Sequence, residues 1–238
     1  KNKYDIVMHF AAYKDAGESM INPFKYTENN MIGSLNILNM MDKFNIKNII
    51  FSSSAAVYGY PLYIPLDDNH QTKPINFYGY SKLVVENLLN WYSKIKNIRY
   101  ASLRYFNAAG YDIKKRIHSI EKETGNLLPI VMEVAINKRK NMEIYGNDYE
   151  TKDGTCIRDY IHVNDLSSAH INAMEYIIND KKNIVCNLST GIGYSVLEVI
   201  SLAEKITGKK IDYRITNRRK GDPPILISKS NKALEILN

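Results

Sequence analysis

Tyr78 and Lys82, in Tyr78-Gly-Tyr-Ser-Lys82, have the types and spacing for proton chemistry. Four residues apart on a helix, they share one face. A free tyrosine titrates at about 10 and is a poor base at neutral pH. A nearby ammonium favours the phenolate, and a second cation in the same cleft would favour it further. Lowering the pKa by about 3 units corresponds to roughly 4 kcal/mol of differential stabilisation. Two close cations in a water-poor cleft are of the right size to supply that. The pair alone is a weak signal, because the chain has 18 Tyr and an exposed pair at helical spacing is ordinary. Its context, Phe51-Ser-Ser-Ser-Ala-Ala-Val-Tyr-Gly59, is more telling. An apolar strand there runs into Ser52, Ser53 and Ser54, and the carboxyl ends of parallel strands face the ligand crevice. Ser54 is placed to hydrogen-bond a substrate hydroxyl and pass its proton to Tyr78. The competing reading is a Ser-rich loop capping its own backbone. A Ser-rich strand end followed by Tyr-x-x-x-Lys on the next helix favours chemistry.

These side chains need a frame, and the pattern describes one. Residues 5–11, 48–51 and 99–104 read as buried strands. Between them run helices over 23–44, with Ile32, Leu35, Leu38 and Met41 on one face, and over 77–93, burying Leu83, Val84, Leu88 and Trp91. The segment 59–76 is polar and contains Pro. Alternating strands and helices predict an α/β fold, a doubly wound parallel sheet covered on both faces. After Asn107 the texture changes. A polar loop is expected over 111–125, helices over 127–138 and 165–178, and strands over 142–145, 157–163, 184–188 and 211–215. Residues 147–155 are acidic and turn-rich. Ser195 and Glu198 form a capping box that opens a helix running to Gly208. The last residues read as helix.

A sheet of this kind normally begins with a strand and a Gly-rich turn that seats a dinucleotide pyrophosphate. No G-x-x-G-x-x-G or G-x-G-x-x-G occurs here. The expectation is therefore a Rossmann-type sheet lacking its first two βα units, which would precede Lys1. Residues 1–109 then form a partial dinucleotide-binding domain. Residues 110–238 form a smaller mixed α/β substrate domain, with about 164–190 packing back on the first.

Composition narrows the classes. At 238 residues and 45% hydrophobic the chain can bury a real core, and 24% charged residues argue against disorder. The net charge of +7 comes from scattered Lys, which points to a solvated surface rather than to nucleic acid. Arg218, Arg219 and Lys220 form the sharp basic cluster, which a phosphorylated small molecule would satisfy. No apolar run approaches the roughly 18 residues of a membrane helix. Cys156 and Cys186 form neither a disulfide framework nor a metal-type spacing, and a cytoplasmic setting is expected. His9, His70, His118, His162 and His170 are scattered; His9 and His162 sit in apolar runs and read as hydrogen-bonded structural groups.

His9-Phe-Ala-Ala-Tyr-Lys-Asp-Ala-Gly-Glu-Ser19, the Ser54 segment, Tyr78 with Lys82, and Arg104-Tyr-Phe-Asn107 resemble the extended short-chain dehydrogenases. The run from Gly146 to Val163 and Arg218-Arg-Lys-Gly-Asp222 resemble one branch of them, the UDP-galactose (UDP-glucose) 4-epimerases. The resemblance covers essentially the whole chain in order, and the Gly146 to Val163 run is its most specific part.

That resemblance implies NAD as cofactor and a UDP-sugar as substrate. Phe10, Ala11, Ala12 and Lys14 would touch NAD after a strand end, and Asn29 would reach it from the next helix. Ser52 and Ser53 would line the nicotinamide side, and Tyr105 and Phe106 would border it. Tyr78 would be the base, Lys82 the partner of the nicotinamide ribose, and Ser54 the assistant. Asn107, Asn126 and Leu127 would meet the sugar diphosphate. Glu143, Ile144 and Tyr145 match the uracil-binding strand, Arg158 and Arg219 the diphosphate-binding arginines, and Asp222 the ribose contact. Arginine suits that work, because its planar fork pairs with phosphate oxygens and stays charged. The bland alternative for Arg158 is a salt bridge to Asp159 or Asp153.

The implied reaction takes the C4 hydride to NAD, turns a 4-keto sugar about its diphosphate linkage, and returns the hydride to the opposite face. A sibling 4,6-dehydratase would need an Asp-Glu pair after the residue matching Ser54, and Ala55 and Ala56 stand there. UDP-N-acetylhexosamine and UDP-uronate epimerases stay open, since Leu226, four after Asp222, is of intermediate size. A non-catalytic NAD-binding relative is the reading from another class, and it has no need of a polarised Tyr78. The resemblance also implies a homodimer when full length, with no nucleic-acid or membrane partner. The 238 residues alone are expected to hold NAD poorly and not to turn over.

Overall fold

The computed structural model describes residues 4–117, 125–219 and 221–237. His118, Lys220 and residues 118–124 of the expected loop lie outside them. The described strands are β1 (Val7–His9), β2 (Asn48–Ser54), β3 (Arg99–Tyr105), β4 (Asn107–Ala109), β5 (Met142–Tyr145), β6 (Ile157–His162), β7 (Ile184–Leu188), β8 (Gly193–Ser195), β9 (Tyr213–Thr216) and β10 (Ile225–Leu226). The α-helices are α1 (Ala16–Ile21), α2 (Pro23–Tyr26), α3 (Gly33–Lys43), α4 (Phe77–Lys96), α5 (Leu127–Ala135), α6 (Val163–Asn179), α7 (Val196–Thr207) and α8 (Asn231–Leu237).

Strands β1, β2, β3 and β7 form a parallel sheet in the order β1-β2-β3-β7. Strand alternation sends Ile50 to one face, against Leu103, Cys186 and the α6 residues Leu166, Ala173 and Ile177. It sends Ile49 and Phe51 to the other, against Leu38 and Met41 of α3 and Val85 and Leu89 of α4. Both faces are therefore covered, which is why β2 is apolar without alternation through Phe51. Helix α6 and strand β7, from late in the chain, thus pack on this early sheet. A second, mixed sheet runs β10-β6-β4 in parallel, with β8 antiparallel to β6. A parallel β5–β9 pair packs with α5 and α7 around Val131, Val134, Ile144 and Ile200. Ser195 and Glu198 close the capping box of α7, and Gly208 ends it in the left-handed conformation.

Local expectations are refined or corrected at three places. The helix expected over 23–44 runs without interruption over 23–43, as α2, a π-helix over Thr27–Ile32, and α3. A π-turn adds a residue to the helical repeat and rotates the turns C-terminal to it. Leu38 and Met41 stay buried, while Ser34 turns inward and Ile32 is 48% exposed. On α4 the buried residues include Ser81, Lys82, Val85, Glu86 and Leu89, and Trp91 is 61% exposed. Polar groups that serve the cleft occupy this inward face, so a reading by hydrophobicity rotates the helix. Strand β2 continues through the three serines instead of stopping at Phe51. The short strands β4, β8 and β10 have two or three residues each, too few to show a period.

Candidate active site

The end of β2 and the start of α4 meet at a close backbone approach. Asn76 caps α4, its side chain accepting from the Gly79 amide at 2.8 Å. A Cβ on Gly79 would stand 2.3 Å from the Ala56 carbonyl oxygen. Glycine between the two tyrosines is thus what lets the helix sit on the 3₁₀ turn Ala55–Val57 that follows Ser54. Ser54 accepts from the Ala56 amide at 3.2 Å and lines the cleft together with Tyr78.

Tyr78 is half-buried. Burial pushes its phenol up to about 12; the Ser54 hydroxyl opposes this and nearby Tyr105 adds to it. Lys82 is 3% exposed. Its ammonium donates to the Ser52 carbonyl at 2.8 Å and lies 5.8 Å from the centre of the Tyr78 ring. Burial pulls Lys82 down to about 8. The expectation that Lys82 lowers the phenol's pKa is corrected: in the protein alone the desolvation of the phenol wins. The phenolate therefore depends on a second cation.

The three serines divide by strand alternation. The Ser52 hydroxyl contacts the Tyr105 hydroxyl. Ser53 faces the other way, 1% exposed, and donates to Glu86 at 2.5 Å. Its hydroxyl is taken up inside the protein.

A cleft of about 370 Å³ joins this corner to the later part of the chain. Ser54, Tyr78, Lys14, Tyr105, Phe106 and Asn107 line it. Asn126, Leu127, Glu143, Ile144, Tyr145, Arg158, Arg219 and Asp222 line it too, and Arg158 and Asp222 also line an adjoining lobe with Ser54 and Tyr78. Arg158 donates to Asp222 at 2.5 Å and to the Ile157 carbonyl at 2.8 Å. The alternative partners expected for it are otherwise engaged. Asp159 accepts from Thr190 and Gly191, and Asp153 from Thr155 and Ser195. Arg219 lies 3.9 Å over the Tyr145 ring, and the Glu143 carboxylate takes Arg214 and the Tyr145 hydroxyl. Ile144, 2% exposed, also belongs to the core beneath. Tyr160 and Cys156 line the cleft as well and were not singled out from the sequence. Tyr160 was legible, because two residues after Arg158 on a strand lies the same face.

Phe10, Ala11, Ala12 and Lys14 follow the carboxyl end of β1, and Asn29 lies in the π-helix beside it. Phe10 stacks on His170 at 4.9 Å and is 54% exposed. Asn29 is exposed and donates to Asn30 at 3.0 Å. The neighbouring Asn30 is 2% exposed and clamps the Tyr13 backbone at 2.9 and 3.0 Å. The fit to a nucleotide cofactor rests on Lys82. An ammonium has three donors, the Ser52 carbonyl takes one, and a ribose diol beside the strand ends suits the others. His9, read as structural, donates to Ser34 at 2.7 Å, and burial holds it near 4. No group of three His, Cys, Asp or Glu among the described residues could hold a metal ion.

Comparison with known proteins agrees with this geometry. The model of the NAD dependent epimerase/dehydratase family matches residues 1–189. A UDP-glucose 4-epimerase of Halalkalibacterium halodurans is 45% identical over 233 residues, covering 98% of this chain and 70% of that protein. The chain belongs to the NAD dependent epimerase/dehydratase family. Ser54, Tyr78, Lys82 and Arg158 fall within the matched residues, and Arg219 and Asp222 beyond them. Among solved structures, a UDP-glucose 4-epimerase of Bifidobacterium longum in complex with NAD+ and UDP has a TM-score of 0.93 at 41% identity. It covers 99% of this chain and 71% of that one. A UDP-Glc/GlcNAc 4-epimerase of Campylobacter jejuni has a TM-score of 0.79 at 39% identity, over 98% of this chain and 71% of that one. The parallel sheet covered on both faces is the family's fold, and NAD is the family's cofactor.

Proposed function

We propose that the protein interconverts UDP-galactose and UDP-glucose. The observation that carries this reading is one cleft lined by Tyr78, Ser54, Arg158, Arg219 and Tyr145 together. A base and two guanidiniums lining one cleft suit a sugar joined through a diphosphate to a nucleoside. Curated relatives named UDP-glucose 4-epimerase, at 39–45% identity over nearly the whole chain, support the same reaction.

NAD, when bound, supplies the group that takes the C4 hydride and gives it back. The chain's own residues do the rest. Tyr78 takes the 4-hydroxyl proton, directly or through Ser54, and later returns it. Lys82 holds the nicotinamide ribose, aligned by its bond to Ser52. Tyr105 and Phe106 border the nicotinamide, and Phe10, Ala11, Ala12, Lys14 and Asn29 serve the rest of the cofactor. Burial opposes ionisation of Tyr78 in the protein alone, and a positively charged nicotinamide held nearby would favour the phenolate. Arg158 and Arg219 hold the diphosphate, Tyr145 and its strand the uracil, and Asp222 the ribose. Asn107, Asn126 and Leu127 leave the sugar room to present either face.

In the intact protein, Tyr78→Phe should lower turnover of UDP-galactose by roughly 10²–10⁴-fold while UDP binding stays near wild type. Retained turnover would remove Tyr78 from its role. A second reading, use of UDP-N-acetyl sugars, is favoured by Leu226, which lines the adjoining lobe of the cleft with Ser54, Tyr78 and Asn107. We also propose a cytoplasmic homodimer acting without nucleic acid or membrane. Exposed Met40 and Phe44 on and after α3, with Trp91 and Ile95 on α4, support self-association. Among the described residues no helix is long and apolar enough to cross a membrane.

A further inference from the structure

Helix α4 carries a third ionisable group on the stripe of Tyr78 and Lys82. Glu86 follows Lys82 by four residues, so the three side chains succeed one another along one face. Each meets the end of β2. Tyr78 lines the cleft together with Ser54. Lys82 donates to the Ser52 carbonyl at 2.8 Å, and Glu86 accepts from the Ser53 hydroxyl at 2.5 Å. Glu86 is itself held from β3: Arg104 donates to its two oxygens at 2.9 and 2.6 Å. The remaining arm of Arg104 reaches the Tyr58 hydroxyl at 3.1 Å, which donates to Asn187 on β7 at 2.6 Å. Glu86 is 6% and Arg104 8% exposed.

A buried ion pair is a weak source of stability, because desolvation offsets its Coulomb attraction. What a fork-on-carboxylate pair provides is fixed geometry. We propose that Glu86, clamped by Arg104, is a positioning residue: it grips Ser53 and so sets the adjacent Ser54 hydroxyl against the Tyr78 phenol. Neither Glu86 nor Arg104 lines the cleft. The pair acts through the strand end, and its consequence for turnover rests on the epimerase reading above. Misplacing reacting groups by about 1 Å costs on the order of 10²-fold in rate.

Two double variants of the intact protein separate position from stability. Both remove the ion pair, a replacement that buried pairs generally tolerate. Glu86→Gln with Arg104→Met keeps an oxygen to accept from Ser53; Glu86→Leu with Arg104→Met does not. With UDP-galactose, the Leu variant should show kcat lower than the Gln variant by about tenfold or more, with KM within about twofold in both. Equal kcat in the two, or kcat and KM moving together, would overturn the inference. Crystal structures of the two variants give a readout independent of turnover. The Ser54 hydroxyl should keep its wild-type position beside the Tyr78 phenol in the Gln variant and be displaced in the Leu variant; finding it undisplaced in both would also overturn the proposal. Absence of wild-type turnover would count against the epimerase reading alone.

Discussion

Tyr78 shows how far a residue's surroundings can oppose its task. Its phenol is pushed up to about 12 by burial, with Lys82 held on the Ser52 carbonyl. The spacing of Tyr78 and Lys82, and the serines before them, were legible because each is a local pattern. The sign of the phenol's shift was not, because desolvation depends on what the rest of the chain packs around it. In the same cleft, Arg158→Met should raise KM for UDP-galactose roughly 10–100-fold, the loss of a hydrogen bond from a charged donor, with a smaller change in kcat. Steady-state kinetics would show it. His9 gives a pH prediction. Its folded pKa is about 4 against 6.5 unfolded. Between those values the unfolded state binds the extra proton, so stability is present above about 6.5 and is lost as pH falls toward 4. The loss amounts to about 3 kcal/mol near pH 4. Urea unfolding at pH 7.5 and pH 5 should show a drop that His9→Gln reduces; an equal drop in the variant would contradict it.

Most elements followed from pattern, and the misreadings cluster around the cleft. The capping box at Ser195 and the strands at 142–145 and 184–188 were readable residue by residue, since each is a local pattern that packing leaves undistorted. Helix α4 was misrotated because it turns Ser81, Lys82 and Glu86 inward. The π-turn was invisible because no composition signals it; its role is seen only where Asn30 clamps the Tyr13 backbone and meets Ser81 at 3.2 Å. The rotation of α4 is testable. Leu89 is fully buried, and Leu89→Ala should cost about 2–5 kcal/mol. Trp91 is 61% exposed, and Trp91→Ala should change monomer stability by less than about 0.5 kcal/mol. Chemical denaturation would distinguish them, and a larger loss at Trp91 would restore the other register.

Across the whole molecule, one strand end and one helix start line the same cleft as residues far later in the chain; on the proposed reading the first supply the chemistry and the second the nucleotide grip. The order of motifs was readable, but that Tyr78 and Arg219 share one cleft was not, because only the crossing of β6 and β10 beside β4 brings them together. Sugar choice is set at this scale too. Leu226 enters from β10, and Leu226→Tyr should fill the lobe beside Ser54 and lower kcat/KM for UDP-N-acetylgalactosamine more than for UDP-galactose. Equal loss for both sugars would remove Leu226 from selectivity.

The chemistry assigned to Tyr78 is tested most directly by a single incubation: the intact protein with UDP-galactose and no added oxidant, the products followed by chromatography. Wild type should form UDP-glucose up to the equilibrium mixture, and Tyr78→Phe at most a trace. No conversion by the NAD-loaded wild type, or undiminished conversion by Tyr78→Phe, would contradict that assignment.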